Sequence, residues 1–258
     1  VLCTVAATQF GNATITIESP VWQRLLKLCH GVRVSTRQAA RALGIAVTSA
    51  LALCAMTVRA PIAVAASCPD VEVVFARGTS DKPGFGPVGT LFVKALQKKL
   101  STKKIEAYAV DYSASWDFSK STSEGAVDAN KHVQYIAGMC PTTKIVLGGI
   151  SQGAGVIDLI TIGKRKLWFF TPSPLPDAMV NHVAAIAVFG NPSRDYANLG
   201  PLTTISPLYG SRAIDLCATN DPYCSKGFDM FAHYSYVWNG MIDEAATFAA
   251  RRVTGLAS

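Results

Sequence analysis

The chain is poor in charge. Only 16% of its 258 residues are Asp, Glu, Lys or Arg, and the formal net charge of +7 is not spread evenly. Six of the 24 basic residues (Arg24, Lys27, Arg33, Arg37, Arg41 and Arg59) and one of the 17 acids, Glu18, lie in residues 1 to 66, which leaves 18 against 16, near +2, for the rest. So weak a field argues against a polyanion, and no nucleic-acid partner is expected. The sequence also lacks any Cys-x-x-Cys pair or Cys/His cluster at ligand spacing, which excludes the common metal sites. No internal repeat or low-complexity linker interrupts residues 67 to 258, a length that suits one domain better than two. The apolar run Leu43 to Val58 falls short of the roughly 20 residues that a membrane span needs, and Arg59 closes it.

What is present in residues 33 to 66 reads as an export signal. Arg33, Arg37 and Arg41 precede the apolar run, and the small residues Ala63-Val64-Ala65 follow it, so cleavage is expected near Ala65 or Ala66. Residues before Arg33 sit oddly ahead of such a signal, and Val32 just before the basic stretch points to a misplaced start codon. Residues 1 to 66 are thus an extension and secretion signal, residues 67 to 258 the working domain, and the destination is secreted or cell-surface. Ala65-Ala66-Ser67-Cys68 resembles a lipoprotein cleavage site only faintly, because the bulky apolar residue three positions before the Cys is missing. Of seven cysteines, Cys68, Cys140, Cys217 and Cys224 fall in the exported part, and an even four favours two disulfides with three open pairings.

Five short apolar runs, Val71 to Ala76, Ile105 to Val110, Lys144 to Leu147, Val183 to Phe189 and Ser211 to Leu216, predict strands. Helical periodicity falls at Val88 to Leu100, Ser123 to Met139, Ala154 to Ile162 and Gly240 to Val253. Strands that alternate with helices imply a parallel sheet covered on both faces, hence one three-layer α/β domain. Residues Lys164 to Asp177 break the pattern with Leu167-Trp168-Phe169-Phe170 and three prolines. Two readings stay open there: a loop whose aromatics fold back on the core, or an apolar lip for a lipid-like substrate.

Gly149-Ile150-Ser151-Gln152-Gly153 matches the G-x-S-x-G nucleophile elbow between a predicted strand and a predicted helix. Glycines flank such a Ser because a Cβ would clash in so tight a turn, and the turn lifts the hydroxyl to the positive end of the following helix. In this arrangement the acid and the His follow the Ser in the chain. His182 introduces an apolar strand, whereas His233 lies in a loop-like aromatic stretch after the last strand, so His233 is the expected base. Among the acids, Asp215 falls inside a strand pattern. Asp221, bracketed by Cys217 and Cys224, is the choice, with Asp229 as the fallback.

Taken together, Val74-Phe75-Ala76-Arg77-Gly78-Thr79, the elbow, Cys217-Ala218-Thr219-Asn220-Asp221-Pro222-Tyr223-Cys224, and His233 with Tyr236-Val237 resemble the cutinase family, especially its bacterial cutinase-like esterases. The resemblance runs from about Cys68 to Arg252. It implies an α/β-hydrolase-type fold with a central five-stranded parallel sheet, and hydrolysis of carboxylic esters with neither cofactor nor metal. It further implies Ser151, Asp221 and His233 as the triad and the amides of Thr79 and Gln152 as the oxyanion hole. The implied disulfides are Cys68 with Cys140 and Cys217 with Cys224. Two positions depart from the family: Ile150 stands where Tyr is common, and Thr79 where fungal members carry Ser.

The expected activity is therefore that of a serine esterase acting on lipid-type or short to medium acyl esters, working as a monomer with transient contact to lipid surfaces. Deacetylation of a polysaccharide such as xylan is the competing activity, and a secreted surface protein with a decayed site is the reading from another class.

Overall fold

A strand buried on both faces has no solvent side to alternate with, so it reads as an unbroken apolar run. In the computed structural model, which describes residues 68–164 and 169–256, the run VAAIAVF forms such a strand, and VEVVFA forms another that is interrupted only by Glu72, buried against His132 at 2.9 Å. Five strands, β1 (Val71–Ala76), β2 (Ile105–Ala109), β3 (Lys144–Ile150), β4 (Val183–Phe189) and β5 (Ala213–Leu216), pair in parallel in the order β2-β1-β3-β4-β5. The predicted strands at 71–76 and 183–189 match residue for residue. β3 runs three residues beyond its predicted end, through Gly148 and Gly149, whose lack of side chains hid the strand. The expected export signal and Trp168 lie outside the described residues.

The helices are α1 (Gly86–Lys99), α2 (Phe118–Met139), α3 (Gln152–Thr161), the short α4 (Leu202–Ile205) and α5 (Met230–Tyr234), and α6 (Met241–Thr254). On one face, α2 and α3 pack over Val74, Leu147, Ile186 and Val188. On the other, α1 and α6 pack over Val73, Phe75, Ala187 and Phe189. The alternation of β1 and β4 residues between the two clusters is the period of two expected of a strand. α2 begins five residues before its predicted start because Asp117 caps it, accepting a hydrogen bond from the Lys120 amide.

Two close approaches set the layers. The ring of Phe75 lies between Gly89 of α1 and Gly148 of β3, and a Cβ at either glycine would sit 2.5 Å from a ring carbon. Among the described residues two disulfides close the frame. Cys68–Cys140 ties the chain before β1 to the end of α2, and Cys217–Cys224 closes a small loop after β5. The resemblance implied both pairings. Because β2 and β3 flank β1 on opposite sides, the order in which strands are added reverses at β1, and a crevice opens at the C-terminal ends of β1 and β3.

Candidate active site

Ser151 sits in that crevice between β3 and α3, with φ 55° and ψ −119°. This is a costly conformation for a residue with a side chain, and it persists because the surroundings fix it. The Ser151 amide donates to the Phe189 carbonyl of β4 at 2.9 Å. A Cβ on Gly149 would meet the Gly153 carbonyl oxygen at 2.3 Å, and one on Gly153 would meet the Ala76 oxygen at 2.1 Å. Both glycines are therefore demanded by backbone-to-backbone contact, as the sequence motif requires. Ser151 is the N-cap of α3, so a negative charge developing beside it meets the helix N-terminus.

Asp221 follows β5 inside the Cys217–Cys224 loop, fully buried at 0% exposure, and His233 lies on α5 with 9%. His233 was expected in a loop; the structure instead places it on a five-residue helix capped by Asp229. The His233 Nδ1 stands 3.0 and 2.9 Å from the two Asp221 oxygens. Asp221 also accepts from the Tyr236 hydroxyl at 2.6 Å and the Tyr223 amide at 2.9 Å. Burial alone would raise the Asp221 carboxyl, but the hydrogen bonds from His233, Tyr236 and Tyr223 outweigh it and hold the group below its ordinary value. An ionised carboxylate can only accept, so Nδ1 carries the proton and Nε2 is left as the basic nitrogen. Asp229 and Asp215 are engaged elsewhere: Asp229 accepts from the Phe231 amide, and Asp215 binds Asn191, Arg194 and the Leu202 amide.

Ser151 and His233 line one cavity of about 530 Å³, together with Thr79 and Gln152. In such sites the hydrogen bond from serine to histidine commonly tightens only with substrate bound. Thr79 lies just past β1 on a loop fixed by buried Arg77, which donates to the carbonyls of Asp81, Val110 and Tyr112. Asp81 accepts from the Gly78 amide at 3.0 Å, and burial lifts its carboxyl above the ordinary range against the pull of that amide and of Arg77. Gln152 is the first residue of α3, and its side chain donates to the Ser115 carbonyl at 3.0 Å.

The cavity walls are mostly apolar. Ile150 and Leu159 form part of the inner lining, while Trp116, Phe169 and Trp238 also line it and are 69%, 62% and 68% exposed. In the described part of the 164–177 segment one aromatic folds back on the core and another does not. Phe170 and Leu175 pack against the core, whereas Phe169 is exposed beside the cavity.

The profile of the cutinase family matches residues 67–253. The chain belongs to the cutinase family. It is 44% identical to carboxylesterase Culp1 of Mycobacterium tuberculosis over 224 residues, covering 85% of this chain and 98% of that one. It is 45% identical to phospholipase Culp4 of the same species over 217 residues, covering 83% and 93%. Among solved structures, a Trichoderma reesei cutinase in complex with a phosphonate inhibitor is similar at 28% identity and a TM-score of 0.59, covering 72% of this chain and 77% of that one. An acetylxylan esterase is similar at 25% identity and a TM-score of 0.63, covering 72% and 100%.

Several residues around the site escaped sequence reasoning in this cutinase-family chain. Gly190 follows β4 with φ +53°, and a Cβ there would come within 3.0 Å of both Asp221 Oδ2 and His233 Cε1. Behind the 190–202 loop, Asp158 of α3 is fully buried and holds Ser193 Oγ and Asn191 Nδ2. Burial, with the Asp215 charge adding to it, pushes the Asp158 carboxyl up to about 8 against the hydrogen bonds of Ser193 and Asn191. No local pattern announces such contacts. The positive φ of Gly190 is the one feature that a glycine after a buried strand hints at.

Proposed function

We propose that this chain is an exported serine esterase in which Ser151, His233 and Asp221 act as a triad. That it hydrolyses carboxylic esters follows from the family and from relatives named carboxylesterase and phospholipase. The observation that carries the triad is the buried Asp221–His233 pair, which leaves Nε2 as a base opening on the same cavity as the strained Ser151.

In this mechanism His233 Nε2 takes the proton as Ser151 Oγ attacks the ester carbonyl carbon. The carbonyl oxygen, now negative, is held by the Thr79 and Gln152 amides at the end of β1 and the start of α3. His233 returns the proton to the leaving alcohol, and an acyl-enzyme remains on Ser151. Water then attacks that acyl group by the same relay. Asp221 stays ionised throughout; it holds the imidazole tautomer and stabilises the imidazolium.

The substrate is a lipid-type ester. Support comes from the apolar cavity wall and from the exposed aromatics beside it, which suit brief contact with a lipid surface by a monomer. A deacetylase of polysaccharides calls for a shallow polar acyl site, and the walls here do not supply one. Two disulfides suit an oxidising compartment outside the cytosol. The test is covalent labelling with a fluorophosphonate, together with rates on p-nitrophenyl butyrate. Ser151→Ala should abolish labelling and lower kcat by roughly 10⁶, leaving only the contribution of binding and the oxyanion hole. A label on another serine refutes the assignment. The mature first residue of exported protein, read by mass spectrometry, should lie near Ala66, and a retained residue 1 would refute export processing.

A further inference from the structure

Ser151, Gly155 and Leu159 are spaced four residues apart, the spacing that places side chains on one face of a helix, and all three line the cavity. Leu159 is 1% exposed and stands eight residues beyond Ser151, roughly 12 Å along α3 at about 1.5 Å per residue. The wall facing Gly155 includes Thr122 of α2, itself buried. Phe170 and Leu199, which pack against the same core cluster as Leu159, also line the cavity.

Gly155 is the unexplained member of this row. A glycine inside a helix is unfavourable relative to alanine, so it calls for a reason. Gly149 and Gly153 have one, since a Cβ on either would strike backbone. A Cβ on Gly155 would meet only the Thr122 Cγ2 at 3.5 Å, an ordinary contact, and its φ is not in the left-handed region. Nothing in the protein's own packing requires the missing side chain. What it leaves open is the cavity above α3.

We propose that this furrow is the acyl channel: the acyl chain of an ester at Ser151 runs over Gly155 toward Leu159, and Gly155 sets the chain length accepted. The inference rests on Ser151 as nucleophile. An extended chain advances about 1.2 Å per bond, as an extended backbone covers about 3.6 Å in three bonds. Roughly 12 Å therefore holds about ten bonds, and the preferred acyl groups have about eight to ten carbons. An acetyl group would leave the channel empty, so medium-chain esters are the substrate class.

The experiment measures kcat/KM on p-nitrophenyl acetate, butyrate, octanoate, decanoate and myristate for the parent, Gly155→Ala and Gly155→Leu. The parent should rise to a maximum at octanoate or decanoate and fall at myristate. In Gly155→Leu the decanoate-to-acetate ratio should drop at least about tenfold, a discrimination within reach of an apolar pocket that loses room for part of a chain. In Gly155→Ala the ratio should fall by less, with a melting temperature at or above the parent's because alanine favours the helix. An unchanged ratio in a folded Gly155→Leu overturns the proposal, as does a parent profile that is flat or highest at acetate. Should the leucine prevent folding, Gly155→Ala decides, and an unchanged ratio there overturns it. A parent that hydrolyses none of the esters and takes no fluorophosphonate label refutes the serine-esterase reading itself. A labelled, active parent with a flat profile refutes the channel alone.

Discussion

Replacing Tyr236 with Phe removes one oxygen at the point where the acid of the proposed triad is held. That hydroxyl is buried, donates to Asp221 Oδ2 at 2.6 Å and accepts from the Ala218 amide at 3.0 Å. A hydrogen bond to an ionised group contributes about 1.5–3 kcal/mol, and an amide left without its acceptor costs about 1–3 kcal/mol. Tyr236→Phe should therefore destabilise the protein by roughly 2.5–6 kcal/mol. A specific signature should accompany this loss. The Asp221 carboxyl, held low against burial partly by Tyr236, should rise. A group whose folded value is depressed contributes stability above its unfolded value, near 3.8, and loses it as pH falls through the folded value; the variant loses part of that contribution. The stability gap between parent and variant should then narrow as pH falls below about 3.8, with kcat on the plateau lowered by no more than about tenfold. The assay is melting curves from pH 3 to 8, with kcat on p-nitrophenyl butyrate at pH 8. A gap that stays constant down to pH 3 would show that the hydroxyl only braces the loop, and the reasoning would fail.

The remaining predictions concern the acid, the small disulfide and the buried carboxyl. Asp221→Asn should keep the fold by circular dichroism while kcat falls by on the order of 10⁴ through the wrong His233 tautomer; Asp229→Asn, at a helix cap, should stay within a few-fold of the parent, and the reverse pattern would move the acid to Asp229. Opening Cys217–Cys224 with two alanines removes a loop constraint of roughly 2.5 kcal/mol, against roughly 4.4 kcal/mol for Cys68–Cys140 with its separation of 72. Kinetics and melting curves together should show kcat suffering more than stability in the smaller opening, and a collapse of melting temperature with kcat intact would contradict this. Asp158 is raised in the folded state to about 8, so the parent should lose stability as pH climbs from about 4 to about 8, by at most about 1.4 kcal/mol per unit. Asp158→Asn removes that slope; its melting temperature relative to the parent should grow across pH 5 to 8, and parallel curves would refute the buried titration.

What the sequence made legible was whatever repeats along the chain. The apolar runs of β1, interrupted only at Glu72, and of β4 fix two strands to the residue, because burial on both faces writes itself into nearly every position. The elbow was legible because its constraint is local, a turn too tight for side chains at 149 and 153. The short α4 and α5 were not, since four and five residues are too few to show a helical period. Asp221 and His233 could be chosen from chain order and the cysteine bracket, but their hydrogen bond could not. The support from Tyr236, the fit of Gly190 against the pair and the Asp158 network behind Ser193 all join residues from separate elements, and periodicity carries no record of such meetings.

The seat of Phe75 between Gly89 and Gly148 also constrains how this chain can vary. Any side chain at either glycine displaces the ring, so neither position tolerates substitution on its own, although both lie away from the reacting atoms. A smaller residue at 75 would create the room that Ala at 89 needs, which makes the three sites one unit of inheritance. Their effects should be non-additive, with Gly89→Ala harmful alone and milder beside Phe75→Leu. Variation that reshapes the cavity at Ser151 can accumulate one residue at a time, whereas change in the layer beneath it must arrive in pairs.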